Sequence, residues 1–207
     1  MDKKAMYSLT YGLFVVTANR GGQDNGCITN TVIQAASEPN QISVAVNKAN
    51  YTCGMIMDSG RFTASVISED ASFELFKYFG FQSGRDVNKF LGFTDVRRVA
   101  NDTLAITKGT NAYISAKVRQ TVDLGSHMLF IGEVTDMEVL SSVPSVTYVY
   151  YLNNIKPKPE AVGKTPEGKT IWRCRICGYE YVGEELPDGF ICPLCKHPAS
   201  DFEKVVS

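Results

Sequence analysis

Four of the six cysteines lie in the last 34 residues of the chain, and their spacing is that of a metal site. They form two C-x-x-C pairs, Cys174 with Cys177 and Cys192 with Cys195, separated by 14 residues. Each pair can turn so that both thiolates face one point, and two pairs then supply four sulfurs in a tetrahedron. This ligand set suits zinc or iron. The alternative is two disulfides or four unligated thiols. The spacing of these cysteines is less typical of either arrangement.

The segment that carries these cysteines is short. Residues 170–207 are too few to form a self-sufficient hydrophobic core, so we expect a bound metal to hold them folded. Aromatic side chains supply what core there is: Trp172, Tyr179, Tyr181, Phe190 and Phe202. The spacing of the cysteines alone does not distinguish a zinc ribbon from an iron centre.

The residues around the cysteines resemble rubredoxin. CGYEY includes the end of the first pair, LPDGFICPLC contains the second, and Phe202 follows. The loop between the pairs is shorter than in free-standing rubredoxins and is similar to the compact modules appended to rubrerythrins. The resemblance implies that Cys174, Cys177, Cys192 and Cys195 bind one iron, which carries one electron at a time. Zinc remains the alternative metal.

A second motif, GKTPEGKT at 163–170, fits the nucleotide-binding pattern G-x-x-x-x-G-K-[ST]. A phosphate-binding loop must follow a buried strand and open a helix. This stretch instead lies in KPKPEAVGKTPEGK, residues 156–169, which is rich in proline and lysine. Pro166 also lacks an amide N–H that a phosphate would need. We therefore interpret residues 156–169 as an extended linker and not as part of an ATPase.

Residues 1–155 form the larger part of the chain, and their secondary structure would position any second functional site. Short apolar runs separated by turn residues predict strands. These runs include GLFVVTA (12–18), CITNTVIQA (27–35), ISVAVN (42–47) and TYVYYL (147–152). YTCGMIMDSG, with Asn50 as its cap, and ASFELFKYFG predict helices.

Many strands with few helices predict a mainly β fold with helical insertions, closed as a β-barrel. The sequence thus predicts a barrel domain over 1–155, a linker over 156–169 and a small metal domain over 170–207.

Small and polar residues recur at the ends of the predicted strands, in NGCITN (25–30), AAS (35–37) and NKANYT (47–52). Small residues let a planar ligand lie against the backbone, while amide and hydroxyl groups bind its heteroatoms. Lys48 and the N-terminus of the helix that begins near Asn50 can bind a phosphate. The chain contains no G-x-G-x-x-G, so a Rossmann dinucleotide site is not supported.

The order of these motifs is similar to that of the flavin reductase-like family, the FMN-binding split barrel. The similarity extends over nearly all of residues 5–155 and includes SGRDVNKF (83–90) and GSHMLFIGEV (125–134). It implies that the flavin ring and ribityl chain contact Asn25, Gly26, Cys27, Ile28, Thr29, Asn30, Ala35, Ala36 and Ser37. It implies that the ribityl-phosphate end contacts Asn47, Lys48, Tyr51, Thr52 and Lys89.

The same resemblance places His127 near the isoalloxazine, where reduced nicotinamide docks. Ser126, His127 and Met128 stand where the family usually has Asp-His-Thr. The residues alone also allow other readings. His127 can be a structural histidine, and Lys89 and Arg85 can be solvated charges. Cys27 and Cys53 are expected to be small buried side chains.

Together the two halves resemble the high-molecular-weight rubredoxins. The resemblance implies an NAD(P)H-dependent oxidoreductase that passes electrons through FMN to the iron and on to a redox partner. The partner it implies is a flavodiiron protein that reduces oxygen or nitric oxide, and the assembly it implies is a homodimer. Two alternatives remain: an FMN barrel with a structural zinc ribbon for partner docking, and a flavin reductase that releases reduced flavin.

Charge and hydropathy exclude other classes. The net charge is −1, which gives no electrostatic reason for a nucleic-acid or membrane partner. Residues 170–207 carry four Lys or Arg and six Asp or Glu, a charge of −2, which argues against a nucleic-acid-binding ribbon. No apolar run approaches the ~20 residues that span a bilayer. The N-terminal GLFVVTA is interpreted as a first strand and not a signal peptide, so we expect a cytoplasmic protein.

Overall fold

The computed structural model describes residues 3–157, 170–175, 179–192 and 198–205. The chain divides into two compact units, Met1–Lys156 and Pro157–Ser207. Most of the predicted linker, including the GKTPEGKT motif up to residue 169, lies outside the described residues, as do Cys177 and Cys195.

The first unit is dominated by strands. They are β1 (Phe14–Arg20), β2 (Gln23–Thr29), β3 (Ile33–Ser37), β4 (Asn40–Asn47), β5 (Arg61–Ile67), β6 (Val96–Arg98), β7 (Leu104–Ile106), β8 (Thr110–Asp123) and β9 (His127–Val139). The helices are α1 (Tyr51–Ser59), α2 (Phe73–Gly80) and the short α3 (Tyr148–Tyr150), which continues as a π-helical turn over Tyr151–Ile155. A 3-10 turn spans Lys3–Ser8. The predicted mainly β fold with helical insertions is confirmed.

Seven of these strands form one antiparallel sheet in the order β2-β1-β5-β8-β9-β4-β3. β6 and β7 form a separate hairpin. Alternate residues of the long strands point into one apolar core, in which Val44, Phe62 and Phe130 are fully buried. No helix in the part of the chain that the structure describes is long and apolar enough to cross a bilayer.

The predicted strand over 27–35 is wrong in its extent, because the chain breaks into β2 and β3 there. The cause lies in Thr31, between the two strands. Its hydroxyl donates to the carbonyl of Ala45 at 2.6 Å and accepts from the N–H of Ala45 at 3.2 Å. The side chain therefore takes the place of a ladder partner at this position, and the strand is interrupted.

The predicted strand over 147–152 is also wrong, because these residues are helical. Thr147 caps the segment, and its hydroxyl accepts from the N–H of Tyr150 at 3.1 Å. The ring of Tyr151 then packs on Phe76 of α2, with 4.4 Å between the ring centroids. Aromatic residues favour strands in isolation, but here burial against α2 decides the conformation.

The second unit contains a three-stranded sheet. Its strands are β10 (Ile171–Cys174), β11 (Glu180–Val182) and β12 (Phe202–Val205), in the order β11-β10-β12. The buried cluster of this unit contains Cys174, Cys192 and Phe202, with Trp172 and Phe190 packed against it. The aromatic residues expected to form the core of this unit thus pack together, and the cluster also contains two cysteines.

Candidate functional site

The N-terminal turn of α1 lies beside several polar groups. The chain turns before the helix, where the Asn47 carbonyl accepts from the N–H of Asn50 at 2.9 Å. The Asn47 side-chain oxygen accepts from the N–H of Ala49 at 2.9 Å. Asn50 occupies the N-cap position but makes no side-chain capping bond. The first N–H groups of α1 therefore have no side-chain oxygen from their own cap and retain the capacity to bind an anion.

Two cations flank this turn. Lys48 forms an ion pair with Asp123, with 2.6 Å between Nζ and Oδ1. Arg85, from the loop after α2, donates from Nη1 to the carbonyl of Ala49 at 2.8 Å. The Arg85 guanidinium also lies over the ring of Tyr51, 5.4 Å from its centroid. Lys48 and Arg85 thus flank the turn that begins α1, and Arg85 contacts Tyr51. The predicted role of Lys48 and Tyr51 in binding a phosphate stays a prediction.

Arg85 was not among the predicted site residues. It lies in the SGRDVNKF stretch, whose charge was the one signal that could have identified it. Arg20 lies over the same Tyr51 ring, 5.3 Å from its centroid, and also pairs with Asp58 at 2.8 Å. Two guanidinium groups therefore contact one tyrosine at the start of α1, and the geometry is that of cation–π stacking.

Asn25 connects β2 to the same turn. Its side chain is 3% exposed, and its Nδ2 donates to Thr52 Oγ1 at 2.9 Å. Its Oδ1 is buried and has no hydrogen-bond partner among the described residues. Gly84 approaches so closely that a Cβ on it would overlap the Asn25 amide. The loop that carries Arg85 is therefore packed directly against Asn25.

Lys89 is buried, which contradicts its interpretation as a solvated charge. It is 3% exposed, and its Nζ donates to the carbonyls of Gly26 and Phe79, each at 2.9 Å. Burial lowers the pKa of Lys89 from 10.5 to about 8, and the nearby Cys27 opposes this shift. Lys89 links β2 to α2, and a phosphate contact by Lys89 would require it to release a carbonyl. That contact stays a prediction.

The residues predicted to contact the flavin ring divide into two groups. Asn25, Gly26 and Cys27 are buried, and Gly26 packs against the Phe79 ring. Burial raises the pKa of the Cys27 thiol, which favours its protonated form. The more accessible residues lie further along: Ile28, Thr29, Asn30 and Ala36 are half-buried, and Ala35 and Ser37 are exposed. Cys27 and Cys53 are small buried side chains, as expected.

His127 begins β9 and pairs in register with Asn47 of β4. The neighbouring Ser126 carbonyl accepts from the N–H of Lys48 at 3.0 Å. The fold therefore brings His127 to the edge of the turn that contains Asn47 and Lys48. The helix N-terminus, Lys48 and Arg85 form a donor set that fits a phosphate monoester such as that of FMN.

Two of the four predicted metal ligands lie within the described residues. Cys174 ends β10 and is 1% exposed, and Cys192 is 0% exposed. Both belong to the cluster around Phe202. The N–H of Cys174 donates to the carbonyl of Tyr179 at 2.8 Å, which closes the turn after β10. Two buried thiols converging in one small cluster fit a metal bound by cysteine sulfur.

Two known families match separate parts of the chain. Residues 6–158 match the family described as "Flavin reductase like domain". Residues 172–203 match the family described as "Rubrerythrin, rubredoxin-like domain". The first match covers the unit that contains α1, Arg85 and His127, and the second covers all four clustered cysteines.

Individual relatives cover most of the chain. "High molecular weight rubredoxin" of Moorella thermoacetica is 36% identical, and the match covers 99% of this chain and 100% of that protein. "Ferric-chelate reductase (NAD(P)H)" of Archaeoglobus fulgidus is 37% identical over 83% of this chain and 98% of its own length. Among solved structures, a flavoredoxin from Methanosarcina acetivorans has a TM-score of 0.57 at 24% identity, covering 63% of this chain and 69% of that one. This last likeness concerns the fold alone.

Proposed function

Because the chain belongs to the flavin reductase like family of oxidoreductases and ends in a rubredoxin-like domain, we propose that it passes electrons from NAD(P)H through FMN to a bound iron. The iron ligands would be Cys174, Cys177, Cys192 and Cys195. The observation that carries the proposal is the presence of both domains in one chain, an arrangement that matches the Moorella relative along 99% of this sequence. The NAD(P)H-dependent class agrees with the name of the Archaeoglobus relative.

The flavin site would lie at the N-terminal turn of α1. Lys48, Arg85 and the first N–H groups of α1 would bind the phosphate, and Asn47, Tyr51 and Thr52 would complete that end. A bound flavin supplies the ability to accept two electrons as hydride and to release them singly. His127 would contact the nicotinamide. The protein's own task is then to bind and orient, without a covalent nucleophile.

The redox partner that receives the electrons is proposed to be a flavodiiron protein. The name of the Moorella relative supports a rubredoxin-type carrier, which needs an acceptor. A tetrathiolate iron has no open coordination position, so it serves electron transfer and not substrate chemistry. We place the protein in the cytoplasm, where reducing conditions keep such cysteines available for metal binding.

A second copy of the chain is proposed to cover the outer face of β4 and β9. In these strands Val44 and Phe130 point into the core, so their neighbours Leu129 and Ile131 point to the opposite face. The residues of β4 that pair with Leu129 and Ile131 are the small Ala45 and Ser43. Small and apolar residues on an outer sheet face support a homodimer interface.

A second candidate function follows from the Archaeoglobus relative. That protein is named a ferric-chelate reductase, and 98% of its length matches this chain. On this hypothesis the first unit reduces a ferric chelate directly, and the second unit is not needed for the reaction. A zinc-containing second unit that docks a partner would be compatible with this alternative.

An absorption spectrum tests the main proposal. The protein is purified in air and then mixed with NADH under anaerobic conditions. We expect overlapping flavin and ferric tetrathiolate bands, and we expect NADH to bleach both. A yellow protein that contains zinc by elemental analysis would overturn the electron-relay proposal and favour the second candidate.

A further inference from the structure

In the second unit, the loop that carries the first pair of clustered cysteines begins where β10 ends. Cys174 is the last residue of β10, and the chain returns as β11 at Glu180. Cys177 lies between them in the sequence. The N–H of Cys174 donates to the carbonyl of Tyr179 at 2.8 Å, which joins the two ends of the loop. The position of β11 against β10 therefore fixes the spacing of these ends.

β11 is a short strand at the edge of its sheet. Its backbone pairs with β10 over three residues, Glu180–Val182, and β10 lies between β11 and β12. A pairing of this length is marginal by itself, so side-chain contacts must add to it. On the face toward the buried cluster, the ring of Tyr181 packs on Phe190, with 5.0 Å between the ring centroids. The contacts on the opposite face of β11 then decide how firmly its other side is held.

Arg173 and Glu180 form an ion pair on that opposite face, at the residue pair next to the loop. They are register partners, and Arg173 points away from the cluster because neighbouring residues of a strand face opposite sides. Nε and Nη2 of Arg173 donate to Glu180 Oε1 at 2.9 Å and 2.6 Å. Arg173 is 7% exposed, so solvent screens this pair less than a pair on the open surface.

We propose that Arg173 and Glu180 are positioning residues that clamp the two ends of this loop at the spacing that metal binding requires. Their charge-assisted hydrogen bonds restrict β11 before a metal is bound. Groups that orient metal ligands without touching the metal commonly change metal affinity about 10- to 100-fold. This inference rests on the proposed function in one respect, that the clustered cysteines bind a metal, and it applies to iron and to zinc alike.

Glu203 offers a matched control for Glu180. It is the register partner of Arg173 on β12, so its side chain lies on the same face of the sheet as that of Glu180. It is exposed, and it forms no ion pair among the described residues. Glu203→Gln therefore removes the same charge from the same face and leaves the Arg173–Glu180 clamp intact. An effect of charge alone would appear in both variants.

The rate at which the full-length protein loses its metal to an excess of chelator tests the clamp. Elemental analysis identifies the metal, fading of the ferric tetrathiolate bands follows the release of iron, and a colorimetric chelator follows the release of zinc. We expect Glu180→Gln and Arg173→Gln each to accelerate release about tenfold, and Glu203→Gln to leave the rate unchanged. The double variant Arg173→Gln, Glu180→Gln should also release its metal about tenfold faster, because both changes remove one contact.

Three results would overturn the clamp: an unchanged rate in Glu180→Gln, an equal acceleration in Glu203→Gln, or an acceleration of about a hundredfold in the double variant. The emission of Trp172, which packs against the cluster of Cys174, distinguishes the clamp from general support of the fold. With metal bound, Glu180→Gln should keep the wild-type emission, because the metal–sulfur bonds then hold the unit. A red-shifted emission in that loaded variant also overturns the clamp. Zinc in the wild type would overturn the proposed electron relay, whereas the release rates would still decide the clamp.

Discussion

Lys48, Arg85 and Lys89 are three cations around one proposed phosphate site, and their hydrogen-bond partners give them different roles. Lys48 and Arg85 are exposed and contact the turn before α1. Lys89 is buried, and two backbone carbonyls accept from its ammonium. An exposed cation can reorient toward a phosphate at little cost, whereas a buried one must leave carbonyls unpaired. At the residue scale we therefore expect Arg85 to bind the ligand and Lys89 to stabilise the fold.

The pH dependence of stability should show the burial of Lys89. Burial lowers its pKa to about 8 in the folded state, against 10.5 when the group is solvated. The unfolded chain therefore binds the proton more tightly between these values, so the free energy of unfolding should rise as pH increases from about 8 to 10.5. The full shift of the Lys89 pKa corresponds to a rise of about 3 kcal/mol in the free energy of unfolding. Below pH 8 this contribution is absent.

Chemical denaturation across that pH range checks the expectation. The Lys89→Met variant should lack the rise that the wild type shows. Lys108→Met is the matched control, since the Lys108 side chain is 80% exposed, and its profile should follow the wild type. Parallel profiles for Lys89→Met and the wild type would contradict the burial of a titrating ammonium.

Arg85→Ala should weaken FMN binding about tenfold, because a charge-assisted hydrogen bond to the phosphate would be lost. Riboflavin lacks the phosphate, so its affinity should hardly change. Fluorescence titration of both flavins measures the difference. Lys77→Ala, which removes an exposed cation of α2 paired with Glu74, is the control and should alter neither affinity. Equal losses for FMN and riboflavin would show that Arg85 acts on the structure and not on the phosphate.

At the scale of elements, α1 and the loop after α2 are held together by a close contact. Gly84 packs on the amide of Asn25, which is itself buried and bonded to Thr52 in α1. A side chain at position 84 would have to displace either the loop or the Asn25 amide. The position of Arg85 over Tyr51 therefore depends on a glycine at position 84.

Gly84→Ala should lower the free energy of unfolding by about 1–3 kcal/mol and weaken FMN binding, because the added methyl group overpacks this contact. Gly54→Ala is the contrasting variant. A Cβ at position 54 meets no atom within 4 Å, and the residue lies inside α1. That change should raise the free energy of unfolding by about 0.5–1 kcal/mol. Thermal or urea unfolding with a flavin titration measures both, and a neutral Gly84→Ala would contradict the close contact.

Helices and strands that follow from the local sequence pattern could be predicted. Those that depend on contacts with residues far away in the chain could not. α1, α2 and the long strands β8 and β9 follow from runs of apolar residues and turn residues between them. The helix at 148–150 depends on Tyr151 meeting Phe76, which is 75 residues away in the chain. The buried role of Lys89 likewise depends on the carbonyls of Gly26 and Phe79. Side-chain spacing does not encode such contacts.

At the scale of the whole molecule, the outer face of β4 and β9 should control the association of two copies. Ile131→Glu places a charge among the residues that face away from the core, beside Ser43. We expect this variant to sediment as a monomer, because burying an unpaired charge in the interface is costly. Val149→Glu, at a side chain 61% exposed on α3, should leave the wild-type state unchanged. A wild-type protein that sediments as a monomer would overturn the proposed dimer.

The two units should also be separable by their chemistry, because the second unit contains the only tryptophan. Trp172 packs against the cluster of Cys174, Cys192 and Phe202. Cys192→Ser removes one proposed iron ligand, and we expect loss of the ferric tetrathiolate bands and a red shift of the tryptophan emission as this cluster opens. NADH should still reduce the flavin in the first unit. Electron transfer to a flavodiiron acceptor should stop, while reduction of a ferric chelate should persist if the flavin performs it directly.

Anaerobic stopped-flow absorbance and steady emission measure these effects on one sample. The control is Cys53→Ser, a change in a buried thiol of the first unit, which should keep the iron bands and the tryptophan emission of the wild type. Loss of both acceptor reactions in Cys192→Ser would show that every electron leaves through the second unit. Retention of both would show that the metal centre is not in the path, because electrons would then reach each acceptor from the flavin alone.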